Sequence, residues 1–156
     1  MKTICRLIVL MFLLSVQLFY SQSFPLSVTD NGFIFVDVTL NDTIKSKFLF
    51  DTGGGLTVLS GKLYEKIKAT TKREGIFTGF RHDGDRLDAE LFAIPSLTMG
   101  SITQKNVIAG VYPPLDEYGI DGLVSLKTIE NHPVIIDLKN KTLTIADAGA
   151  LMNLGN

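Results

Sequence analysis

After residue 23 the chain is a succession of short β-rich runs, each cut by a turn signal, and that rhythm points to a mainly β fold. Gly32 closes a turn at Asp30-Asn31, and Phe33 to Leu40 follows. Within it Ile34, Val36, Val38 and Leu40 share one face, with Asp37 and Thr39 on the other. Asn41-Asp42 marks a turn, and Ile44 to Phe50 returns with Lys45 and Lys47 pointing outward. Further runs are Leu56–Leu59, Ile76–Phe80, Leu87–Ile94, Leu97–Met99, Val107–Val111, Val134–Leu138 and Thr142–Ile145. One helix is expected, over about Gly61 to Thr71, where Leu63 and Ile67 lie four apart on an apolar face. With no linker and no repeat, the expectation is a single-domain, barrel-like β protein with one short helix.

The first 23 residues read differently. Lys2 and Arg6 form a short positive region, and Leu7 to Leu14 is an unbroken apolar run that Ser15 and Gln17 interrupt. That run is too short to span a bilayer. Ser21-Gln22-Ser23 sets small residues where a signal peptidase inspects the chain. A signal peptide over 1–23 and a domain over 24–156 are therefore expected, with export to the periplasm or beyond; an uncleaved anchor is the alternative. Cleavage removes Lys2, Arg6 and the single cysteine, Cys5, leaving 13 bases against 16 acids. No disulfide framework and no cysteine-based zinc site is then available, and two histidines, His82 and His132, offer little for a metal centre. No metal and no cofactor are expected. The negative balance argues against nucleic acid, and nothing after cleavage argues for a membrane.

The chemistry concentrates at Phe48-Leu49-Phe50-Asp51-Thr52-Gly53-Gly54-Gly55-Leu56-Thr57-Val58-Leu59-Ser60. Carboxylates are almost never buried without a partner, so an acid straight after three large apolar residues is an unusual placement. A polar turn end would explain a bare Asp-Thr-Gly. Here an apolar strand, Asp-Thr-Gly, a small residue, a second apolar strand and a helix follow in order. This pattern resembles the active-site loop of the retropepsin-like aspartic proteases, in particular the small single-domain members exported by bacteria. A second block supports the resemblance: Gly119-Ile120-Asp121-Gly122-Leu123-Val124-Ser125-Leu126, then Pro133 to Leu138, a Lys139-Asn140-Lys141 turn and Thr142 to Ile145. Together the two blocks extend the likeness from about Phe33 to Ile145.

The resemblance implies a closed retropepsin-like β-barrel and an aspartic endopeptidase, a hydrolase with Asp51 as its catalytic acid. Thr52 and Gly53 would complete the active-site loop, and Arg81, His82, Asp83, Gly84 and Asp85 would form the flap over a peptide or protein substrate. Peptide hydrolysis by carboxylates needs one ionised group to accept a proton from water and one protonated group to polarise the carbonyl. Two carboxyls close together supply both, because like charges so near cannot both ionise cheaply. This chain has one Asp-Thr-Gly, so the second aspartate must come from a second copy in a homodimer. Two departures are visible: Ser125 stands where the family usually has glycine, and the flap is bulky and charged. They favour the alternative of a retropepsin-like domain that binds peptides or a protein partner without cleaving them.

Other constellations carry less. His82 to Asp88 lacks the oxygen-ligand spacing of a calcium loop and reads as a hairpin turn at Asp83-Gly84. Ser125, His132 and Asp137 imitate a triad only on paper, since no Gly-x-Ser-x-Gly is present. Asp121 and Asp137 read as turn and strand-end residues.

Overall fold

The computed structural model describes residues 22–80 and 84–146. The expected signal peptide through residue 21 and the flap residues Arg81, His82 and Asp83 lie outside the described residues. Strands β1 (Gln22–Pro25), β2 (Ser27–Val28), β3 (Ile34–Leu40), β4 (Ile44–Asp51) and β5 (Thr57–Leu59) precede helix α1 (Gly61–Ile67). After it come β6 (Lys72–Phe80), β7 (Arg86–Met99), β8 (Ile102–Val111), β9 (Gly122–Ser125), β10 (Val134–Asp137) and β11 (Thr142–Ile145). Eight strands form one sheet in the order β2-β3-β4-β9-β5-β8-β7-β6, and β3 pairs additionally with β7 through Val38↔Met99, Thr39↔Thr98 and Leu40↔Leu97. A second sheet has the order β1-β11-β10.

Alternation places the core. Val36, Val38 and Leu40 of β3 are buried and Asp37 is exposed, while β4 keeps Lys45 and Lys47 outside and buries Phe48 and Phe50. Asn41 and Asp42 take positive φ between the two strands, as a tight hairpin reversal requires. Each large apolar side chain enclosed in this way contributes about 1.5–3 kcal/mol relative to exposure.

Among the described residues α1 is the one α-helix, and it is shorter than the pattern predicts. Leu63 and Ile67 are buried as expected, and Ser60 caps the start by accepting from the Leu63 N–H at 3.2 Å. The α-helix stops at Ile67 and a 3-10 turn, Lys68–Thr70, follows. There the Thr70 and Thr71 hydroxyls donate to the Ile67 and Lys68 carbonyls at 2.7 and 3.0 Å. These side chains take the carbonyls with which a longer helix would have been bonded.

Several strands differ from expectation. Leu87–Ile94 and Leu97–Met99 are expected as separate runs, yet β7 runs through Pro95 between them. The register with β8 goes from Ile94↔Val107 to Ser96↔Lys105, and Asn106 between them turns to φ 53°. The ladder thus steps over the residue that has no N–H. β6 begins at Lys72 rather than Ile76. β1 begins at Gln22, so the strand spans the expected cleavage point: Gln22 and Ser23 pair with Ile145 and Thr144, and Phe24 and Pro25 with Leu143 and Thr142.

Candidate active site

Strand β4 delivers Asp51 at its carboxyl end, beside the carboxyl end of β9. The two strands are parallel, in register from Phe48↔Gly122 to Asp51↔Ser125. β5 flanks the other side of β9 and runs antiparallel to it, through Val58↔Leu123 and Leu59↔Gly122. The segment Thr52–Leu56 must therefore cross over the end of β9 at Ser125. Two glycines make this possible. A Cβ on Gly122 would lie 2.6 Å from the Val58 carbonyl oxygen and 2.7 Å from the Phe48 ring. A Cβ on Gly54 would lie 2.9 Å from Asp51 Oδ2 and 3.3 Å from the Ser125 Cβ. The absent side chain at 54 leaves the room that Ser125 occupies.

The Gly53 N–H donates to Asp51 Oδ1 at 2.9 Å, fixing the carboxylate against its own loop. Asp51 is half-buried, and Thr52 and Gly53 are exposed. The Thr52 hydroxyl has no partner among the described residues of this one chain. At the far end of the loop, the Thr57 and Thr128 hydroxyls are hydrogen-bonded at 2.5 Å, tying the start of β5 to the 3-10 turn Leu126–Ile129. This tie was not visible in the sequence, because Thr128 lies 71 residues after Thr57 and outside both quoted blocks. Ser125 Oγ is buried and has no hydrogen-bond partner among the described residues. A lone carboxylate presented in this way can accept a proton from water, but it cannot also supply one.

The long hairpin of β6 and β7 carries the segment that the sequence reading expects as a flap. Its stem lies near the loop, because the space beside Gly110 is shared by the Leu56 and Ala89 side chains, 3.0 and 3.4 Å from a Cβ built there. Ile76, Phe77 and Phe80 are exposed along β6. Of the predicted flap residues, Gly84 takes φ 88° in the described part of the turn and Asp85 follows it. Across the strands, Thr78 Oγ1 donates to Asp88 Oδ1 at 2.5 Å, and along β7 itself Arg86 Nε reaches both Asp88 oxygens at 3.1 Å. The Thr78 hydroxyl first, and Arg86 second, hold the Asp88 carboxyl below its usual value of 3.8. A carboxyl whose folded pKa is lowered stabilises the hairpin fully above its unfolded value and loses that contribution as pH falls through the lowered one. In an NMR titration from about pH 6 to about pH 2, the Thr78 and Asp88 Cα shifts should hold until below the usual carboxylate range and then move toward random coil. A transition centred at or above about pH 4, the ordinary aspartate value, would contradict this pairing.

Asp121, Asp137 and His132, which the sequence also singled out, have structural partners. Asp121 accepts from the Ser46 hydroxyl at 2.5 Å, and its carbonyl accepts from the Ser60 N–H at 2.8 Å. Asp137 accepts from the Asn140 N–H and side-chain amide at 2.9 and 2.7 Å, which lowers its pKa. His132 Nδ1 lies 3.3 Å from the Ala146 carbonyl oxygen. Ser125, His132 and Asp137 are therefore not hydrogen-bonded to one another. Among the described residues no three His, Cys, Asp or Glu side chains gather as a metal site would require.

The sequence model of the aspartyl protease family matches residues 36–128, which include β4, the loop and β9. A retropepsin-like aspartic protease from Rickettsia conorii superposes with a TM-score of 0.59 at 18% identity, covering 82% of this chain and 92% of its own. The retroviral protease-like domain of Ddi1 from Leishmania major aligns with a TM-score of 0.47 at 15% identity, over 72% of this chain and 90% of its own. No curated protein matches the chain.

Proposed function

The chain belongs to the aspartyl protease family, and on that premise we propose that it is an aspartic endopeptidase whose catalytic pair is Asp51 from each of two identical chains. The observation that carries this is the placement of Asp51: a half-buried carboxylate at a strand end, held by the Gly53 N–H beside an exposed loop. A single chain supplies one such group, and the exposed Thr52-Gly53 face is where a second loop would meet it. In the dimer one carboxylate takes a proton from water while the other, protonated, polarises the scissile carbonyl. The β6–β7 hairpin would close over an extended peptide, its exposed apolar residues covering the substrate and excluding water. The added β3–β7 pairing supports reading the main sheet as a closed barrel.

The test is hydrolysis of a mixed peptide library as a function of chain concentration and pH. Specific activity should rise with concentration until dimerisation saturates. The rate should be bell-shaped and centred on the acid side of neutral, with apparent pKa values that belong to the pair. A rate that climbs steadily to alkaline pH would point to another nucleophile.

The hydroxyl of Ser125, buried beside the loop and without a partner among the described residues, favours a second reading, a domain that holds peptides without cutting them. Peptide binding without turnover in the same assay would select it. We further propose that the protein is exported, supported by the charge and apolar pattern of its first 23 residues. Cleavage after Ser23 would remove Gln22 and Ser23 from β1, including the Ser23–Thr144 hydroxyl pair at 2.5 Å. Phe24, whose ring lies against Gly100, would then become the first residue. Intact-mass measurement of the exported chain reads this terminus directly.

A further inference from the structure

We propose that the cavity beside Gly55 is a specificity subsite for an acidic side chain, glutamate above all, of the peptide substrate. The inference rests on the peptide-handling reading of the site given above and adds the chemistry that the site prefers.

The cavity has a volume of about 310 Å³ and begins at the last glycine of the active-site loop, with Gly55, Leu56 and Thr57 forming one wall. That size lies at the small end of ligand cavities and suits one side chain rather than a whole small molecule. Lys105 and Lys127 line it from two different elements, β8 and the 3-10 turn after β9, and none of its lining residues is a carboxylate. Lys127 is ion-paired with Glu130, outside the lining, whereas Lys105 makes no ion pair among the described residues. The charge left over is therefore positive.

The hydrogen-bond inventory agrees with the charge. The Thr57 and Thr128 hydroxyls, both in the lining, share a single hydrogen bond. Whichever of them accepts it keeps its own proton for another acceptor. A carboxylate, which only accepts, fits a wall that offers an ammonium and a spare hydroxyl proton. Leu56 and Ile108 supply apolar surface for the methylene stem. Position completes the case: side chains of an extended peptide alternate in direction, so one that lies a few residues from Asp51 can turn into the mouth at Gly55.

Fluorescein-labelled octapeptides test this directly. Each is built of alanine around a central Phe-Leu pair, with Glu or Gln placed in turn at every other position. Binding is read by anisotropy on the uncleaving Asp51→Asn chain, and cleavage on the wild type. One position should favour Glu over Gln by about two- to fivefold, the scale of an exposed ion pair. The preference should shrink in Lys105→Gln and when salt is raised from about 50 to about 500 mM, and Lys105→Glu should turn it toward a lysine probe. If no position prefers Glu, or if the preference survives in a chain with both Lys105→Gln and Lys127→Gln, the subsite is wrong even where cleavage proceeds. A lysine-dependent preference in binding with no turnover by the wild type upholds the subsite and overturns the peptidase. Failure of every octapeptide to bind overturns both.

Discussion

Asp51→Asn is expected to abolish peptide hydrolysis, lowering the rate by about 10²–10⁴-fold or more, while leaving the fold in place. The loss is large because the amide neither takes a proton from water nor shares one with a second carboxylate. The fold survives because Asp51 stands at a strand end and makes one local bond, from the Gly53 N–H to Oδ1. Asparagine keeps that oxygen, so the melting temperature should move by only about a few degrees. Circular dichroism and peptide cleavage on the same preparation check both halves. Full activity would remove Asp51 from the chemistry, and a collapsed fold would make it a structural residue.

Gly122→Ala should destabilise the chain by about 1–3 kcal/mol, the scale of overpacking in a close-packed interior. The added methyl group would meet the Val58 carbonyl oxygen at 2.6 Å and the fully buried Phe48 ring at 2.7 Å. Neither can step aside: Val58 is held in the β5–β9 ladder, and Phe48 is paired with Gly122 itself across β4 and β9. The same shift would move Ser125 against Asp51, so activity should fall together with stability. Urea unfolding measures the first effect through its midpoint. Gly55→Ala is the control for stability, because a Cβ there meets nothing within 4 Å and should leave the midpoint in place.

The parts of this molecule that could be read in its sequence are those whose causes are local. The alternation of Ile34 to Leu40, the turn at Asn41-Asp42 and the apolar face of Leu63 and Ile67 each follow from neighbours a few residues apart. The placement of Asp51 at a strand end was legible for the same reason, since an acid follows an apolar run and precedes a glycine-rich turn. Features that depend on distant partners were not. β1 does not read as a strand, and its first half falls in the expected signal segment, because its partner, β11, is some 120 residues away and QSFP contains a proline. Leu87–Ile94 and Leu97–Met99 read as separate strands because nothing nearby shows that Asn106 will turn out of register opposite Pro95. The tight seat of Gly122 and the Thr57–Thr128 tie arise where β9 enters between β4 and β5, a non-local insertion that no run of residues announces. Ser125 was visible as a departure from the family's glycine; that Gly54 makes space for it was not.

Co-refolding wild-type chain with an equal amount of Asp51→Asn chain tests the shared active site most directly. If each site needs Asp51 from both copies, random pairing places about half of the wild-type chains in dimers with one carboxylate, and activity per wild-type chain falls to about half. A larger excess of the Asp51→Asn chain should drive it toward zero. Activity per wild-type chain that stays undiminished at every ratio would mean that one chain carries a complete site, and would contradict the paired-aspartate account.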